Sequence, residues 1–319
     1  MKEFIIKKND ADARLDKFIQ KAVPSLPSNL IQKFIRLKRI KVNSARAKAD
    51  MRLNLGDVVT MYINDEFFET SRATKAETKL SSSFPSIIYE DKNILLLNKP
   101  SGISVHDDDA GGETLLSQML SYLASKGEWV PGSENAFIPA LCNRIDRNTS
   151  GIVIAAKTAE ALRIMNDKIK NRELSKYYLC AVFGIPKPKT GTLKGYIFKD
   201  AKENRVFVRS SPCPGAKTAI TKYSTLKTSG EISLVECELI TGRTHQIRAQ
   251  MAAAGYPLVG DGKYGKNVDN KRYGMKYQAL CSYKLVFNFT SPSGVLEYLN
   301  KKSFVIKEIP FKEKLFPKG

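Results

Sequence analysis

Histidine and cysteine are scarce in this sequence. Its 319 residues include two histidines and five cysteines, and no two cysteines have the C-x-x-C spacing. Scattered cysteines of this kind are typical of reduced thiols in a cytosol rather than of a secreted disulfide framework. No group of these residues has the spacing of metal ligands. The sequence therefore predicts a cytoplasmic protein without a metal site.

Long apolar runs are absent as well. No stretch approaches the roughly 18 apolar residues of a membrane span, and residues 1–8 lack the apolar core of a signal peptide. Acidic residues are few relative to basic ones, with 32 Asp and Glu against 52 Lys and Arg, a net charge of +20. This excess indicates a polyanionic partner, nucleic acid before an anionic membrane surface, although a generically basic protein is a further reading.

Length and hydrophobic content indicate two folded domains. A hydrophobic content of 42% excludes a mostly disordered chain, and a chain of this length accommodates about two domains. Residues 1–63 are predicted to form a small basic domain, with apolar residues at helical spacing in two segments. Residues 64–85 are polar and rich in serine towards their end, as flexible linkers are. Residues 86–319 are predicted to form the second domain.

Basic residues are concentrated in the second half of the first domain. Seven of them fall between residues 33 and 48 without one acidic residue among them. A solvated helix face usually mixes the two signs, so a cluster of one sign favours phosphate contacts over a merely solvated surface, which stays the alternative. The residues of this cluster that we assign to RNA contact are Lys33, Arg36, Lys38, Arg39 and Lys41.

One polar stretch, residues 143–151, stands between two apolar runs. This pattern predicts two buried strands joined by a loop. The loop contains Arg144, Asp146 and Arg147, followed by two hydroxyl residues and a glycine. A lone aspartate in a loop is most often a turn or cap residue. Whether Asp146 has a functional role beyond shaping the turn depends on the other stretches of the chain.

Three further stretches stand out. Residues 87–102 predict two strands around a turn and end in Lys99, Pro100, a serine and a glycine. Residues 175–184 predict a strand that includes Tyr178. Later, an apolar strand leads into a helix that we expect to be capped by Thr241 or Thr244 and to end at a glycine. A helix N-terminus with flanking arginines suits a phosphate or a carboxylate.

Together, these stretches resemble the RluA/RluC family of RNA pseudouridine synthases. Residues 143–151 resemble the family signature H-R-L-D-x-x-T-S-G, with Asn143 in place of the histidine and Ile145 in place of the leucine. Residues 90–102 are similar to its first motif, and residues 241–248 match T-G-R-T-H-Q-I-R at every position. A continuation, G-x-P-[IL]-x-G-D-x-x-Y-G, matches residues 255–265. Residues 1–63 resemble the alpha-L RNA-binding module.

The resemblance implies an α+β fold: a catalytic domain on a long mixed, mostly antiparallel sheet, plus a small α/β RNA-binding domain at the N-terminus. It implies that Asp146 is the catalytic nucleophile, that Arg243 pairs with it, and that Tyr178 stacks on the target base. It implies no cofactor and no metal. The remaining residues that we assign to RNA contact are Arg144, Arg147, His245 and Arg248.

The implied function is isomerisation of specific uridines to pseudouridine in structured RNA. Large-subunit ribosomal RNA is the first expectation and transfer RNA the second, and we expect a monomer without membrane association. A non-catalytic RNA-binding or ribosome-assembly factor would be expected to lack Asp146, Tyr178 or Arg243, but all three are present. A hydrolase of nucleosides or glycans would need a second carboxylate, and none stands in the matched motifs.

Overall fold

The computed structural model describes residues 1–69, 80–107, 111–200, 205–265 and 267–317. The chain divides into two compact units, each built from segments that are distant in sequence. The first unit comprises Met1–Phe84, Leu116–Ala140 and Ala156–Arg163, and the second comprises Pro85–Leu115, Leu141–Ala155 and Ile164–Gly319. None of the helices in these described ranges is both long and apolar enough to cross a membrane.

The first unit contains a small antiparallel sheet with two helices, as the helical spacing of its apolar residues predicted. Its strands follow the order β1-β4-β2-β3. Both helices turn their apolar residues into a common core with the sheet, including Phe18 and Ile31. The elements of residues 1–63 are β1 (Lys2–Ile5), α1 (Leu15–Ala22), α2 (Ser28–Arg36), β2 (Ile40–Val42), β3 (Ala45–Arg46) and β4 (Val58–Met61).

The second unit is organised on one large sheet of eleven strands. Its strands are β5 (Ser86–Glu90), β6 (Ile94–Lys99), β7 (Ala140–Leu141), β8 (Ser150–Ala156), β9 (Leu174–Phe183), β10 (Thr190–Asp200), β11 (Arg205–Arg209), β12 (Lys217–Ser229), β13 (Ile232–Leu239), β14 (Leu280–Phe287) and β15 (Ser303–Val305). The main path is β11-β10-β12-β13-β9-β14-β8-β6-β5, with β7 beside β8 and β15 beside β14. Strands β8 and β14 pair in parallel, whereas β9 pairs antiparallel with both β13 and β14. The predicted α+β fold with a long mixed, mostly antiparallel sheet is confirmed.

The helices outside residues 1–63 are short, and one of them begins within the family-like stretch 241–248. Apart from the helical residues 66–69, these helices are α3 (Leu115–Ser125), α4 (Ala159–Lys170), α5 (Gln246–Ala253), α6 (Asn267–Arg272), a 3-10 helix (Gly294–Leu299) and α7 (Pro310–Leu315). Helix α5 begins directly after His245, so the predicted caps Thr241 and Thr244 are wrong. The predicted end is confirmed, because Gly255 has a positive φ of 89° directly after the helix.

The predicted linker, residues 64–85, is described only at its two ends. Residues 66–69 are helical, and Phe68 is buried in the core of the first unit. The linker residues 70–79 lie outside the described part of the chain. The division into compact units follows other borders than the predicted domains 1–63 and 86–319, which stay a prediction.

Candidate active site

The Asp146 loop connects β7 to β8 and is held by its own backbone and side chains. The amide of Thr149 donates to the carbonyl oxygen of Asp146 at 3.0 Å. Asn143, at the position where the family signature has histidine, accepts the amide of Ile154 at 2.8 Å through its side-chain oxygen. An asparagine at this position therefore ties the start of the loop to β8.

Lys99 also holds the Asp146 loop in place through hydrogen bonds. Its side chain is fully buried at the end of β6, and its ammonium group donates to the carbonyl oxygens of Pro100, Ile103 and Arg147 at 2.9, 2.8 and 2.7 Å. A charged amine has three N–H donors, so all three are used. Lys99 thereby joins the loop after β6 to the loop that carries Asp146.

Arg248 holds the carboxylate of Asp146. This arginine lies on α5 with 8% of its side chain exposed, and its Nη1 donates to Asp146 Oδ2 at 3.0 Å. Its Nε and Nη2 donate to the two oxygens of Asp261 at 2.7 and 2.9 Å. A bidentate pair of this kind fixes the plane of the guanidinium group. The third nitrogen is thus aimed at Asp146.

Asp261 is the buried counter-ion that makes this arrangement possible. Burial by itself would raise the pKa of Asp261, but the hydrogen bonds and charge of Arg248 and the amides of Lys263 and Tyr264 lower it below its usual value. The two amides donate to Oδ1 at 3.0 and 3.2 Å. Asp261 is therefore ionised, and its charge balances Arg248 without using Asp146.

His245 also faces Asp146. Its Nε2 lies 3.8 Å from Asp146 Oδ2, and its Nδ1 lies 3.0 Å from the hydroxyl oxygen of Tyr264. Burial lowers the pKa of His245, and the charges of Arg248 and Lys263 lower it further, against the opposing effect of Asp146 and Asp261. The neutral imidazole is consequently favoured at this position.

Tyr178 lies on β9 within an apolar cluster that the Asp146 loop contacts. This cluster also contains Ile247 from α5, and the partly buried Ile145 of the loop packs against it. Burial raises the pKa of Tyr178 to about 12, while a hydrogen bond with Ser282 opposes this rise and the charge of Asp146 adds to it. The phenol is therefore neutral, and the site combines the carboxyl group of Asp146, the buried guanidinium group of Arg248 and an apolar cluster.

Two predicted roles require correction. Within the described residues, Arg243 does not contact Asp146; its Nε donates to the carbonyl oxygen of Thr218 at 3.1 Å. Arg248, which we had assigned to RNA, occupies the place beside Asp146. The reason is the backbone at His245, whose left-handed conformation starts α5 there, so the helix carries Arg248 to the loop and leaves Arg243 in the preceding turn.

Most of the other residues predicted to contact RNA lie at the surface, but His245 does not, because it lies against Asp146. Arg144 and Arg147 are exposed on the Asp146 loop, and Arg147 also donates to the hydroxyl of Ser104 at 2.9 Å. In the first unit, Lys41 is half-buried, and the other residues of the basic cluster that we assign to RNA are exposed, namely Lys33, Arg36, Lys38 and Arg39. Lys38 has a φ of 59°, so it occupies the left-handed turn position where the alpha-L module often has glycine. Their contact with RNA stays a prediction.

Sequence reasoning assigned no role to Asp261, Tyr264 or Lys99. All three stand inside motifs that it had matched, and the spacing D-x-x-Y of residues 261–264 was the available signal. The described residues contain no group of three or more His, Cys, Asp or Glu side chains placed to hold a metal ion. The expectation that no cofactor is needed stays a prediction.

Comparisons with known proteins agree with this geometry. A family model described as RNA pseudouridylate synthase matches residues 93–253, and an S4 domain model matches residues 13–59. An uncharacterized RNA pseudouridine synthase of Mycoplasma genitalium is 34% identical over 98% of both chains. The ribosomal large subunit pseudouridine synthase C of Vibrio vulnificus is 33% identical over 80% of this chain and 77% of its own.

Solved structures share the fold. The human RNA pseudouridylate synthase domain containing 4 covers 78% of this chain and 97% of its own, with a TM-score of 0.55 at 22% identity. The chain belongs to the RNA pseudouridine synthase family and carries an S4 domain near its N-terminus. The predicted enzyme class and RNA substrate are thereby confirmed.

Proposed function

We propose that this enzyme isomerises specific uridines of large-subunit ribosomal RNA, with Asp146 as the nucleophile. The observation that carries the catalytic part is the contact of Asp146 with Arg248, a buried arginine whose Nε and Nη2 are held by Asp261. A guanidinium group fixed in this way orients the carboxylate and offers it a charge-assisted hydrogen bond. The relatives named ribosomal large subunit pseudouridine synthase C support the choice of RNA.

The reaction requires an anion and a dry, flat pocket. The bond between N1 of uracil and C1′ of ribose breaks, the base turns, and a bond forms between C5 and C1′; the C5 proton leaves and N1 gains a proton. Asp146 attacks either C1′ or the uracil ring. Tyr178 offers a stacking plane for a base that has left its helix, and Ile247 and Ile145 keep water from the intermediate.

The exposed cations contribute binding rather than chemistry. Arg144 and Arg147 flank Asp146 at the surface, where they can neutralise phosphates next to the target nucleotide. The basic cluster of the S4 domain adds phosphate contacts, which orient the RNA without reading its sequence. Action as a monomer in the cytoplasm stays part of the prediction.

The test is a transcriptome-wide pseudouridine map of cells that lack the gene, complemented with the wild type or with Asp146→Asn. We expect specific uridines of large-subunit ribosomal RNA to lose the modification and only the wild type to restore it. Loss confined to transfer RNA would contradict the proposed substrate. Restoration by Asp146→Asn would contradict the proposed nucleophile.

A further inference from the structure

The hydroxyl group of Tyr264 stands between strand β11 and His245. Its oxygen accepts the amide of Val206 at 3.0 Å and lies 3.0 Å from His245 Nδ1. Because the oxygen already receives one N–H, we assign the phenol proton to the imidazole, with Nδ1 as the acceptor. A neutral histidine that accepts at Nδ1 carries its proton on Nε2.

The backbone of His245 indicates that this orientation is enforced. Its φ of 53° and ψ of 21° place a residue other than glycine in the left-handed region, directly before the first turn of α5. Only a few per cent of residues other than glycine adopt such conformations, with Asn, Asp and His over-represented, and they persist where the surroundings hold them. Here the conformation brings Nε2 to within 3.8 Å of Asp146 Oδ2.

The two oxygens of Asp146 are consequently not equivalent. Oδ2 accepts Nη1 of Arg248 at 3.0 Å and faces Nε2 of His245. Among the described residues, no hydrogen bond reaches Oδ1. An oxygen that accepts a charge-assisted hydrogen bond is a weaker nucleophile and base than one that accepts none, so the free oxygen is the one that meets the substrate.

The ring of Tyr264 is anchored independently of its hydroxyl. The guanidinium groups of Arg248 and Arg205 lie 5.2 and 5.1 Å from the ring centroid, and the His245 ring meets it edge to face at 5.7 Å. Cation–π contacts of this kind depend on the ring alone. Removal of the hydroxyl therefore changes the proton on His245 while the ring keeps its place.

We propose that Tyr264 is a positioning residue that holds His245 as the neutral Nε2–H tautomer against Asp146 Oδ2, and so selects Oδ1 as the reacting oxygen. This inference rests on the proposed role of Asp146. At 3.8 Å the contact of Nε2 with Oδ2 is longer than a hydrogen bond, and such contacts tighten when substrate fills an active site. His245 thus orients the carboxylate and does not itself carry the reaction's proton.

The tautomer can be read directly, because the chain has two histidines. Long-range proton–nitrogen NMR spectra of the full-length enzyme labelled with ¹⁵N-histidine should show one imidazole as a neutral Nε2–H tautomer, assigned to His245 by its loss in His245→Gln. In Tyr264→Phe, the same imidazole should become a mixture of tautomers. A proton on Nδ1 of His245 in the wild type would overturn the proposal.

The kinetic consequence separates positioning from stability. The probe is an unmodified large-subunit ribosomal RNA transcript with tritium at C5 of uridine, since pseudouridine formation releases that label to water. Tyr264→Phe should lower kcat about five- to tenfold, with KM nearly unchanged. Tyr89→Phe is the matched control, because that hydroxyl donates to Asp91 Oδ2 at 2.8 Å on the end strand of the sheet, and its kcat should equal that of the wild type. Equal kcat in the two variants would contradict the proposal.

The pH profile gives a second readout. The hydrogen bond donated by Tyr264 stabilises neutral His245, so its loss should raise the pKa of His245 and move the acid limb of kcat to higher pH. The charged groups that face His245 are Asp146, Asp261, Arg248 and Lys263, and Tyr264→Phe retains all of them. An acid limb at the wild-type position would contradict the proposed hydrogen bond.

Two substitutions of His245 complete the test. Glutamine places an amide donor where Nε2 stood, whereas asparagine places one nearer Nδ1 but suits the left-handed backbone better. We expect His245→Gln to retain more activity than His245→Asn, and the reverse order would show that backbone strain matters more than the Nε2 donor. Absence of tritium release by the wild type would contradict the proposed function. The NMR spectra would still show which tautomer His245 adopts.

Discussion

Lys99 illustrates how one buried charge can organise two loops. Burial lowers the pKa of its ammonium group to about 7, against the raising effect of Asp146, and Arg147 lowers it further. The three carbonyl oxygens around Nζ are satisfied only when the amine carries its third proton. Protonation of Lys99 and the position of the Asp146 loop are therefore linked.

The first prediction concerns the pH dependence of stability. The ordinary pKa of Lys99 is 10.5 and its folded value is about 7, so between these values the unfolded state binds a proton that the folded state does not. The free energy of unfolding should then rise with pH by about 1.4 kcal/mol per unit in this window from this group alone. Below about pH 7 both states bind the proton, and the slope vanishes.

Urea unfolding at about pH 7 to 9, within that window, measures this slope. Lys99→Met should lose it, although the variant is less stable at every pH because three carbonyl oxygens lose a donor. Lys92→Met, at an exposed lysine of the turn between β5 and β6, is the matched control and should keep the slope. Parallel stability curves for the wild type and Lys99→Met would refute the assignment.

The second prediction compares the two arginines of the stretch 241–248. Arg248→Gln removes the cation between Asp146 and Asp261, so kcat should fall about 100-fold or more, and breaking this buried ion network should cost about 3–5 kcal/mol of unfolding free energy. Arg243→Gln removes a hydrogen bond to the Thr218 carbonyl oxygen and should leave kcat within about threefold. A greater loss of kcat in Arg243→Gln than in Arg248→Gln would restore Arg243 as the partner of Asp146.

At the scale of elements, Gly151 determines how β8 starts. Its φ is +116°, and a Cβ atom built on it would lie 2.5 Å from the amide nitrogen of Ser282 and closer still to its carbonyl oxygen. Gly151 pairs with Ser282 in the parallel ladder between β8 and β14. The absence of a side chain at Gly151 thus allows the backbone at the end of the Asp146 loop to pack directly against β14.

The third prediction follows from this close approach. Gly151→Ala should reduce the free energy of unfolding by about 2–4 kcal/mol, because the methyl group displaces β14 and adds backbone strain. Gly230→Ala, in the turn between β12 and β13 with φ +57° and open space around it, isolates the strain alone and should cost about 1 kcal/mol. Equal losses of unfolding free energy in the two variants, measured with denaturant, would mean that β14 accommodates the methyl group without a cost in stability.

Elements with strong local signals could be predicted from the sequence. The strand after Gly151, the two amphipathic helices of the first unit and the end of α5 at Gly255 all follow from spacing and glycine placement. The start of α5 could not be predicted in this way. The left-handed conformation of His245 is accompanied by contacts with Tyr264, a residue beyond the end of the helix. The pairing of Asp146 with Arg248 depends on that start, so sequence reasoning chose the wrong arginine.

The basic cluster of α2 and β2 carries the fourth prediction. Replacing Lys33, Arg36 and Arg39 by glutamine should reduce the slope of log K for RNA against log salt by about 0.7–0.9 for each phosphate that these side chains neutralise. The matched control removes the same charge from three exposed lysines of the same unit, Lys8, Lys17 and Lys21, and should keep the wild-type slope. An unaltered slope for the cluster variant in a filter-binding titration would show that the cluster is a solvated face.

At the scale of the whole molecule, the first compact unit joins the S4 module to later parts of the chain. Asp10 is 1% exposed and accepts the side-chain amide of Asn135 at 2.9 Å and the backbone amide of Ala136 at 3.2 Å. Asn9 accepts the amide of Ala159 at 3.3 Å, and Ala136 packs against the core of the module. Residues 1–63 therefore contribute structure to segments 116–140 and 156–163.

The last prediction tests whether the predicted boundary at residue 63 delimits an autonomous domain. Deleting residues 1–63 removes the carboxylate of Asp10 and the apolar core beneath Ala136, so the amides of residues 130–140 should exchange with solvent faster by about tenfold or more. The full-length charge variant of Lys33, Arg36 and Arg39 is the control, and its exchange should match the wild type. Unchanged exchange in the deletion would support the boundary at residue 63. Faster exchange would mean that weaker RNA binding after deletion cannot be attributed to missing charges alone, because deletion also disturbs the unit that the module helps to fold.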